Sequence, residues 1–269
     1  MACLLGIDLG TSSVKALLVD REGHTLGIGS AEYPVLMPRP DCAEQDPEAW
    51  WQCTATAVRQ ALAATRSPEV AAIGLSGQMH GTVLLDAHGQ LLAPAIIWPD
   101  RRSRAQVHEI TERIGAVRLI EIAGSPLATG FQAATLRWVQ QEQPAVWRQV
   151  RHILLPKDYL RWRMVGQPFD TDPSDAAGTL LLDARTRDWS PVILDALGLD
   201  VTQLPEVKPS SYVYGYTDPE VLGACVPISG DAGDQQAALF GEACFREGMV
   251  KATYGTGSFV LMNTGGKPC

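Results

Sequence analysis

The stretch Leu4-Leu5-Gly6-Ile7-Asp8-Leu9-Gly10-Thr11-Ser12-Ser13-Val14-Lys15 decides how this chain begins to fold. An apolar run ends in the lone carboxylate Asp8, turns through glycine and small hydroxyl residues, and continues as a second apolar run. This pattern predicts a tight β-hairpin whose turn exposes backbone N–H groups and hydroxyls. Such a turn suits a phosphate group, and the carboxylate suits a magnesium ion that holds the phosphate. An ordinary hairpin, whose glycine serves only the bend, is the alternative that this stretch alone leaves open.

The composition of the chain is that of a globular protein with a substantial core. Of its 269 residues, 46% are hydrophobic and 19% are charged, which argues against disorder. The net charge of −8 opposes nonspecific binding of nucleic acid, which needs clustered Lys and Arg. We expect a cytoplasmic protein, because no apolar run has membrane length and no signal pattern opens the chain. None of the six cysteines forms a CxxC pair, so we expect reduced thiols rather than a zinc site.

Strand and helix patterns alternate along the chain after three opening strands. The opening strands are predicted at 4–9, at 14–20 and after the turn at 21–24. Asp46 and Pro47 predict the capped start of a helix that runs to about residue 64. Further strands are predicted at 70–75, 83–86, 153–155, 226–229, 250–254 and 258–262, with helices at 103–114, 131–141, 156–164, 189–197 and 235–240. This alternation predicts the α/β class with a mixed sheet flanked by helices.

Two later stretches repeat the chemistry of the opening one. Lys251-Ala252-Thr253-Tyr254-Gly255-Thr256-Gly257-Ser258-Phe259-Val260 is again a strand, a Gly/Thr turn and a strand. Ser229-Gly230-Asp231-Ala232-Gly233-Asp234-Gln235-Gln236 runs from a strand into glycine-flanked acids at a predicted helix start. Helix N–H groups at such a place face an anion, while the carboxylate is held in a cleft. A plain N-cap is the structural alternative for Asp234, but a cap does not need two nearby glycines.

Three separated segments together resemble the FGGY family of carbohydrate kinases, which belongs to the actin, Hsp70 and hexokinase ATPase superfamily. They are Gly6-Ile7-Asp8-Leu9-Gly10-Thr11-Ser12, Gly233-Asp234-Gln235-Gln236 and Gly255-Thr256-Gly257. The resemblance implies two ribonuclease H-like domains around a deep cleft, with sugar bound mainly to the first domain and ATP mainly to the second. It implies an N-terminal sugar-binding domain at 1–244 and the beginning of a truncated C-terminal, ATP-binding domain at 245–269. We therefore expect the chain alone to bind sugar weakly and to turn over little or no ATP.

Within the family, the sugar-facing segments resemble xylulokinase. Ser76-Gly77-Gln78-Met79-His80-Gly81 is similar to that enzyme's substrate loop, where glycerol kinases carry an Arg-Glu pair in place of Met79 and His80. The stretch Gly233-Asp234-Gln235-Gln236-Ala237-Ala238 instead resembles glycerol kinase. The resemblance thus favours ATP-dependent phosphorylation of a ketopentose, D-xylulose to D-xylulose 5-phosphate. Glycerol kinase is the close alternative, and a non-catalytic sugar-binding or sensor fragment is the alternative of a different class.

The resemblance also implies a role for individual residues. Asp234 would be the catalytic base that accepts the hydroxyl proton, and Asp8 would hold Mg²⁺ beside the ATP phosphates. The implied sugar-binding residues are Gln78, Met79, His80, Trp98, Asp100, Asp234 and Gln235, and the implied ATP-binding residues are Gly10, Thr11, Ser12, Gly255, Thr256 and Gly257. The expected partners are a small sugar and ATP, and a homodimer is compatible with the resemblance. We expect the protein to bind neither nucleic acid nor a membrane.

Each candidate has a structural alternative. His80 is an isolated histidine, which is usually satisfied by a backbone carbonyl in a core, and Trp98 can simply pack. Arg101 and Arg102 are interpreted as a solvated helix start. Asp172 and Asp175 are interpreted as turn and cap residues around Pro173.

Overall fold

The computed structural model describes residues 2–66, 68–219, 223–254 and 258–266. The strands are β1 (Ala2–Leu9), β2 (Ser13–Val19), β3 (Thr25–Glu32), β4 (Glu44–Gln45), β5 (Glu69–Gly77), β6 (Val83–Leu85), β7 (Ala95–Ile96), β8 (His152–Leu154), β9 (Asp170–Thr171), β10 (Leu182–Asp183), β11 (Asp188–Trp189), β12 (Glu206–Val207), β13 (Gly215–Tyr216), β14 (Pro227–Gly233), β15 (Val250–Tyr254) and β16 (Ser258–Met262). The α-helices are α1 (Pro47–Ala63), α2 (Arg104–Ile114), α3 (Ala116–Ala123), α4 (Gln132–Glu142), α5 (Pro144–Trp147), α6 (Pro156–Val165), α7 (Pro173–Ala176), α8 (Pro191–Leu197) and α9 (Asp234–Gly241).

The main sheet has six strands in the order β13-β14-β5-β1-β2-β3. Strands β1, β2 and β3 form an antiparallel meander, whereas β5 and β14 run parallel to β1. A parallel neighbour needs a crossover connection, and α1 supplies it between β3 and β5. The predicted α/β class with a mixed sheet is confirmed.

One face of the sheet is covered by α1, which begins where the sequence predicts. The Asp46 carboxylate accepts a hydrogen bond from the amide of Glu48, which is the expected N-cap bond. Two glycines of β3 let the helix approach the strand closely, since a Cβ on Gly27 would collide with the carbonyl of Ala61 and one on Gly29 with that of Ala57. Close packing in the core between the sheet and the helices α1 and α6 therefore requires small residues at some positions as well as large ones at others.

The opposite face of the sheet is open. Leu17 and Ile28 are exposed there, and Gly6, Gly74 and Gly230 lie side by side on adjacent strands. A cavity of about 810 Å³ lies over this row of residues. Asp8 and Ser76 lie at its rim, at the carboxyl ends of β1 and β5.

Two further parts complete the described chain. A second core is built mainly by α2, α3, α4 and α8, with the loops between them. Strands β15 and β16 pair only with each other in the described structure, and the hairpin matches the predicted bounds. Its predicted turn, Gly255–Gly257, lies outside the described residues. No described helix is both long enough and apolar enough to cross a membrane.

Candidate active site

The candidate site lies where three parallel strands end side by side. In the sheet register Asp8 of β1 is opposite Ser76 of β5, and the next position of β5, Gly77, is opposite Gly233 of β14. The Ser76 hydroxyl donates a hydrogen bond of 2.6 Å to Oδ1 of Asp8. Asp234 directly follows Gly233 and opens α9. The sheet thus brings the two predicted acids to the same edge, although they are far apart in sequence.

Asp234 is a half-buried carboxylate in an electrostatically unfavourable place. Burial raises its pKa, and the nearby negative charge of Asp8 raises it further, against the lowering effect of hydrogen bonds from Gln235. The side chain of Gln235 is itself held by the buried Lys251, whose ammonium donates to Oε1 at 2.9 Å. A carboxylate with a raised pKa is a stronger proton acceptor than an ordinary aspartate, so this position suits a general base.

Asp8 has the features that a magnesium ligand needs. Oδ1 is bonded to Ser76, while Oδ2 has no hydrogen-bond partner in the described part of the chain. Mg²⁺ is commonly held by one or two carboxylates together with substrate phosphates and waters, rather than by a complete protein cage. The residues present therefore fit a magnesium ion that is shared with a phosphate.

The turn after β1 is held by two side chains that donate hydrogen bonds to its carbonyls. The hydroxyl of Tyr33 donates to the carbonyl of Gly10 at 2.6 Å, and the amide of Gln45 donates to the carbonyl of Thr11 at 2.7 Å. Gly10 is needed because a Cβ there would lie 3.0 Å from the carbonyl oxygen of Ser13. Ser12 is exposed at the tip. With these carbonyls occupied, the turn is fixed while Ser12 stays accessible.

Trp98 joins this turn to the closing hairpin. Its indole N–H donates to the Thr11 hydroxyl at 2.8 Å, and its ring meets the edge of Phe259 in β16 with ring centroids 6.1 Å apart. The predicted phosphate turn and the predicted sugar wall are therefore in direct contact.

Met79 and His80 lie against two glycines that leave them room. A Cβ on Gly178 would lie 2.9 Å from both Met79 Cε and His80 Nδ1, and a Cβ on Gly233 would lie 3.0 Å from Met79 Cγ. His80 has φ of 71°, a left-handed conformation that non-glycine residues rarely adopt and that is often found at functional sites. This packing places Met79 beside Gly233, the residue before Asp234, and His80 beside Gly178.

The hydrogen bond of His80 fixes which ring nitrogen can receive a ligand hydrogen. Nδ1 lies 2.5 Å from the carbonyl of Gly178, and a carbonyl can only accept, so Nδ1 carries the proton. Burial lowers the pKa of His80, although the bond to Gly178 opposes this, so the ring is neutral near pH 7. Nε2 of the neutral ring is then an acceptor. The structural alternative, a histidine satisfied by a backbone carbonyl, is correct for Nδ1 alone.

Gln78 offers a second unused acceptor. Its Nε2 donates to Gln45 at 2.8 Å, and its backbone amide donates to the carbonyl of Leu9 at 2.8 Å. Its Oε1 is buried with no hydrogen-bond partner in the described chain. An unpartnered buried acceptor is costly, and a ligand hydroxyl would satisfy it.

Asp100 differs from the other predicted sugar-binding residues. Its buried carboxylate accepts hydrogen bonds from the amide of Ala43 at 2.7 Å and from the amide and guanidinium of Arg102 at 2.9 and 2.8 Å. These partners account for the carboxylate without a ligand, so its role in sugar binding stays a prediction. The interpretation of Arg102 as solvated is wrong, because its guanidinium is buried between Asp100 and Glu44 and lies over the Trp138 ring.

Sequence reasoning missed a group of buried ionisable residues beneath the site. We call it the buried charge cluster, and it consists of Lys157, Asp158, Arg161, Asp172, Asp175 and Asp231. The interpretation of Asp172 as a cap is correct, since its carboxylate accepts from the amides of Ser174 and Asp175. Asp172 and Asp175 are both fully buried, which neither a turn nor a cap requires.

Lys157 is at the centre of the buried charge cluster. Its Nζ lies 2.7 Å from Asp158 and 3.2 Å from both Asp172 and Asp231. Arg161 also bonds Asp231, but the carboxylates outnumber the two cations. Burial therefore raises the pKa of Asp231 to about 6.

Asp175 is the acid of the cluster that lies farthest from Lys157, with Oδ2 at 3.6 Å from Nζ. Burial raises its pKa well above the ordinary range, against the attraction of Lys157. Neither of its oxygens has a hydrogen-bond partner in the described chain. In the sequence, the only signal of the buried charge cluster is the pair of acids at 172 and 175, directly after the two-residue strand β9.

Comparisons with known proteins show the family to which the chain belongs. A model of the N-terminal domain of the FGGY family of carbohydrate kinases matches residues 3–241. The glycerol kinase of Thermococcus onnurineus is 40% identical over 268 residues, which cover 97% of this chain and 54% of that protein. The xylulose kinase of Escherichia coli is also 40% identical, over 256 residues that cover 94% of this chain and 52% of that protein.

A solved structure extends the similarity to three dimensions. The crystal structure of "a xyloylose kinase" from Brucella ovis superposes with a TM-score of 0.90 at 37% identity, covering 96% of this chain and 54% of that one. The chain therefore spans about half the length of the curated relatives it matches. Residues 3–241, which the family model matches, contain all of the six-stranded sheet except Ala2 at the start of β1.

Proposed function

Because the chain belongs to the FGGY family of carbohydrate kinases, we propose that it supplies the sugar-binding and proton-accepting part of an ATP-dependent kinase. The observation that carries the proposal is the meeting of Asp8 and Asp234 at one edge of the sheet, close enough for one charge to raise the pKa of the other. One acid next to a phosphate-sized turn and one acid at a helix start are what phosphoryl transfer to an alcohol requires.

In the proposed reaction a primary hydroxyl of the sugar attacks the terminal phosphorus of ATP, and the bond from that phosphorus to the bridging oxygen breaks, so that ADP leaves. Asp234 accepts the hydroxyl proton, and its raised pKa makes it effective in that role. The turn at Gly10–Ser12 binds phosphate oxygens through its backbone N–H groups and hydroxyls, and we assign Gly255–Gly257 the same role. When bound at Asp8, Mg²⁺ would neutralise the phosphate charge.

The sugar is held by acceptors that are buried and unused. We assign Gln78 Oε1 and His80 Nε2 to sugar hydroxyls, with Met79 and the Trp98 ring as apolar walls. Trp98 also keeps the sugar next to the phosphate turn through its bond to Thr11. Gln235 orients Asp234 and adds an amide beside it. Asp100 acts in this scheme only by holding its loop through Ala43 and Arg102.

D-xylulose is the proposed substrate, and glycerol is the second candidate. The neutral His80 and the thioether of Met79 support a ketopentose, which offers several hydroxyls and an apolar face. The glycerol kinase from Thermococcus onnurineus, at 40% identity, supports glycerol. Calorimetric titration of this chain with D-xylulose, D-ribulose and glycerol separates the two. Tighter binding of glycerol than of xylulose would overturn the assignment to a ketopentose.

The chemistry is tested by the Asp234→Asn variant of the protein that carries this chain, because the chain alone is expected to turn over little or no ATP. We expect phosphoryl transfer, followed as ADP release, to fall about 10²–10⁴-fold, because the amide cannot accept the proton. Binding of the sugar should stay within about threefold, since the amide keeps the shape of the side chain. The matched control is Asp195→Asn on the exposed surface of α8, which should change neither quantity. A wild-type protein that binds sugar but transfers no phosphoryl group would instead favour the non-catalytic sensor.

A further inference from the structure

The carboxyl-terminal half of β14 has no strand neighbour on the side away from β5 in the described structure. Strand β13 pairs with β14 only at Pro227 and Ile228. Beyond that point the amides of alternate residues face an empty edge, because successive N–H groups of a strand point to opposite sides. Two of these amides nevertheless have partners. Asp231 donates to the carbonyl of Ser210 at 3.0 Å, and Gly233 donates to the hydroxyl of Ser174 at 3.0 Å.

Both serines are bonded to one carboxylate oxygen. The hydroxyl of Ser174 donates to Asp172 Oδ2 at 2.6 Å, and the hydroxyl of Ser210 donates to the same atom at 2.8 Å. Because the Ser174 hydroxyl hydrogen is used on Asp172, its lone pairs are left to accept from Gly233. Asp172 therefore decides how the hydroxyl that holds Gly233 is oriented.

Asp172 is in turn anchored by the buried charge cluster. Its Oδ1 lies 3.2 Å from Lys157 Nζ, and the residue is fully buried. Burial pushes the pKa of Asp172 up, but Lys157 and the bonds from Ser174 and Ser210 outweigh it and hold the pKa below the ordinary value. The carboxylate thus stays ionised, and an ionised acceptor makes shorter and stronger hydrogen bonds than a neutral one.

We propose that Asp172 positions Asp234 through Ser174 and Ser210, which replace the missing strand neighbour of β14. This inference rests on the proposed function, since it assigns these three side chains to the placement of the proton acceptor. Gly233 is the residue directly before Asp234, so a bond to its amide restrains the backbone from which the carboxylate projects. Misplacement of a reacting group by a small distance costs rate rather than affinity.

The test compares variants of the two serines in the protein that carries this chain. With Ser174→Ala we expect kcat for phosphorylation of the sugar to fall about tenfold, while KM for the sugar changes less than about twofold. Ser174→Thr keeps the hydroxyl and should restore most of the loss. Ser210→Ala should show the same pattern more weakly, because the Ser210 carbonyl still accepts from Asp231. An unchanged kcat in Ser174→Ala, or a change confined to KM, would overturn the proposal.

Ser211→Ala is the matched control, because this exposed neighbour makes no hydrogen bond in the described structure and should behave as wild type. A second measurement separates this inference from the proposed function. Amide hydrogen exchange, followed by NMR in the chain, should be about tenfold faster at Gly233 in Ser174→Ala, with the exchange of β1 unchanged. If the wild type transfers no phosphoryl group, the proposed function fails, and exchange alone decides. Faster exchange at the Gly233 amide would then still support its restraint by Ser174, and unchanged exchange would refute that restraint.

Discussion

Two groups of carboxylates lie within one fold, the buried charge cluster around Lys157 and the pair Asp8 and Asp234 at the strand ends. In the cluster the carboxylates face cations at 2.7–3.6 Å and are closed off from solvent. In the pair, Asp8 has the hydroxyl of Ser76 and Asp234 has the side chain of Gln235, and no cation forms an ion pair with either acid in the described structure. The cluster contains its own cations, whereas the pair has none in the described structure.

The difference indicates where this protein stores stability and where it gives stability up. Removing one partner from a buried ion pair leaves an uncompensated charge and is strongly destabilising. Acids held near each other without cations lower stability, and such positions are typical of binding and catalytic sites. The following predictions are ordered by the size of the expected effect and test this contrast.

The largest effect is expected for Lys157→Met, which removes the central cation of the buried charge cluster. We expect the free energy of unfolding to fall by about 3–5 kcal/mol, because several buried carboxylates lose their shared partner. Urea denaturation followed by circular dichroism measures the change. Lys15→Met, on the exposed face of β2, is the control and should stay within about 0.5 kcal/mol. A variant at 157 that is as stable as wild type would show that the cluster contributes no stability.

The second prediction concerns the pH dependence of Asp231. Its pKa is about 6 in the folded protein against an ordinary value of 3.8, so between these values the folded state keeps a proton that the unfolded chain releases. Rising pH therefore removes stability. The stability of wild type relative to Asp231→Asn should fall by about 3 kcal/mol between pH 4 and pH 7.

Urea denaturation at several pH values checks this, and Asp195→Asn on the surface of α8 is the matched control. If the stability of wild type relative to Asp231→Asn rises with pH or stays constant, the assignment of the raised pKa to Asp231 is contradicted.

A third, smaller effect is expected at the open site. Trp98→Phe keeps a ring beside Phe259 but loses the hydrogen bond to Thr11. We expect a loss of about 1 kcal/mol in the free energy of unfolding. Trp147→Phe, whose indole N–H has no acceptor in the described chain, is the control. Equal losses in the two variants would mean that the bond to Thr11 contributes nothing beyond ring packing.

The smallest effect, with the opposite sign, is expected for Asp234→Asn. Burial and the charge of Asp8 raise the pKa of Asp234, so its ionised form is unfavourable at pH 7. The neutral amide should leave the protein as stable as wild type or more stable by about 0.5 kcal/mol. Thermal denaturation without nucleotide or magnesium measures this. A clear loss of stability would place Asp234 with the structural carboxylates.

The sequence was sufficient to predict much of the fold and the meeting of Asp8 and Asp234. The helix after Asp46 and the hairpin at 250–262 have the predicted bounds within one residue, because caps and alternating strands are local patterns. Asp8 and Asp234 were found because each ends an apolar strand beside glycines, and parallel strands bring their carboxyl ends together.

The buried charge cluster could not be predicted from the sequence, because its ion pairs join residues that are far apart in the chain. Lys157 and Asp231 are 74 positions apart, and Asp172 carries a cap motif that explains it fully at the local level. The partner of Asp100, the amide of Ala43, lies 57 positions away and could not be predicted either. Whether a polar residue is buried, and what it faces, depends on tertiary packing that no short pattern contains.

The parallel pairing of β1, β5 and β14 means that the spacing of the site is counted in residues. One extra residue inside β5 would turn the Ser76 hydroxyl to the other face of the sheet and move Gln78 by about 3.3 Å along the strand. Exposed surface loops that pair with no strand are not held to this register and tolerate changes in length better. Random insertion libraries should therefore lose sugar binding at the ends of these three strands long before they lose the folded protein.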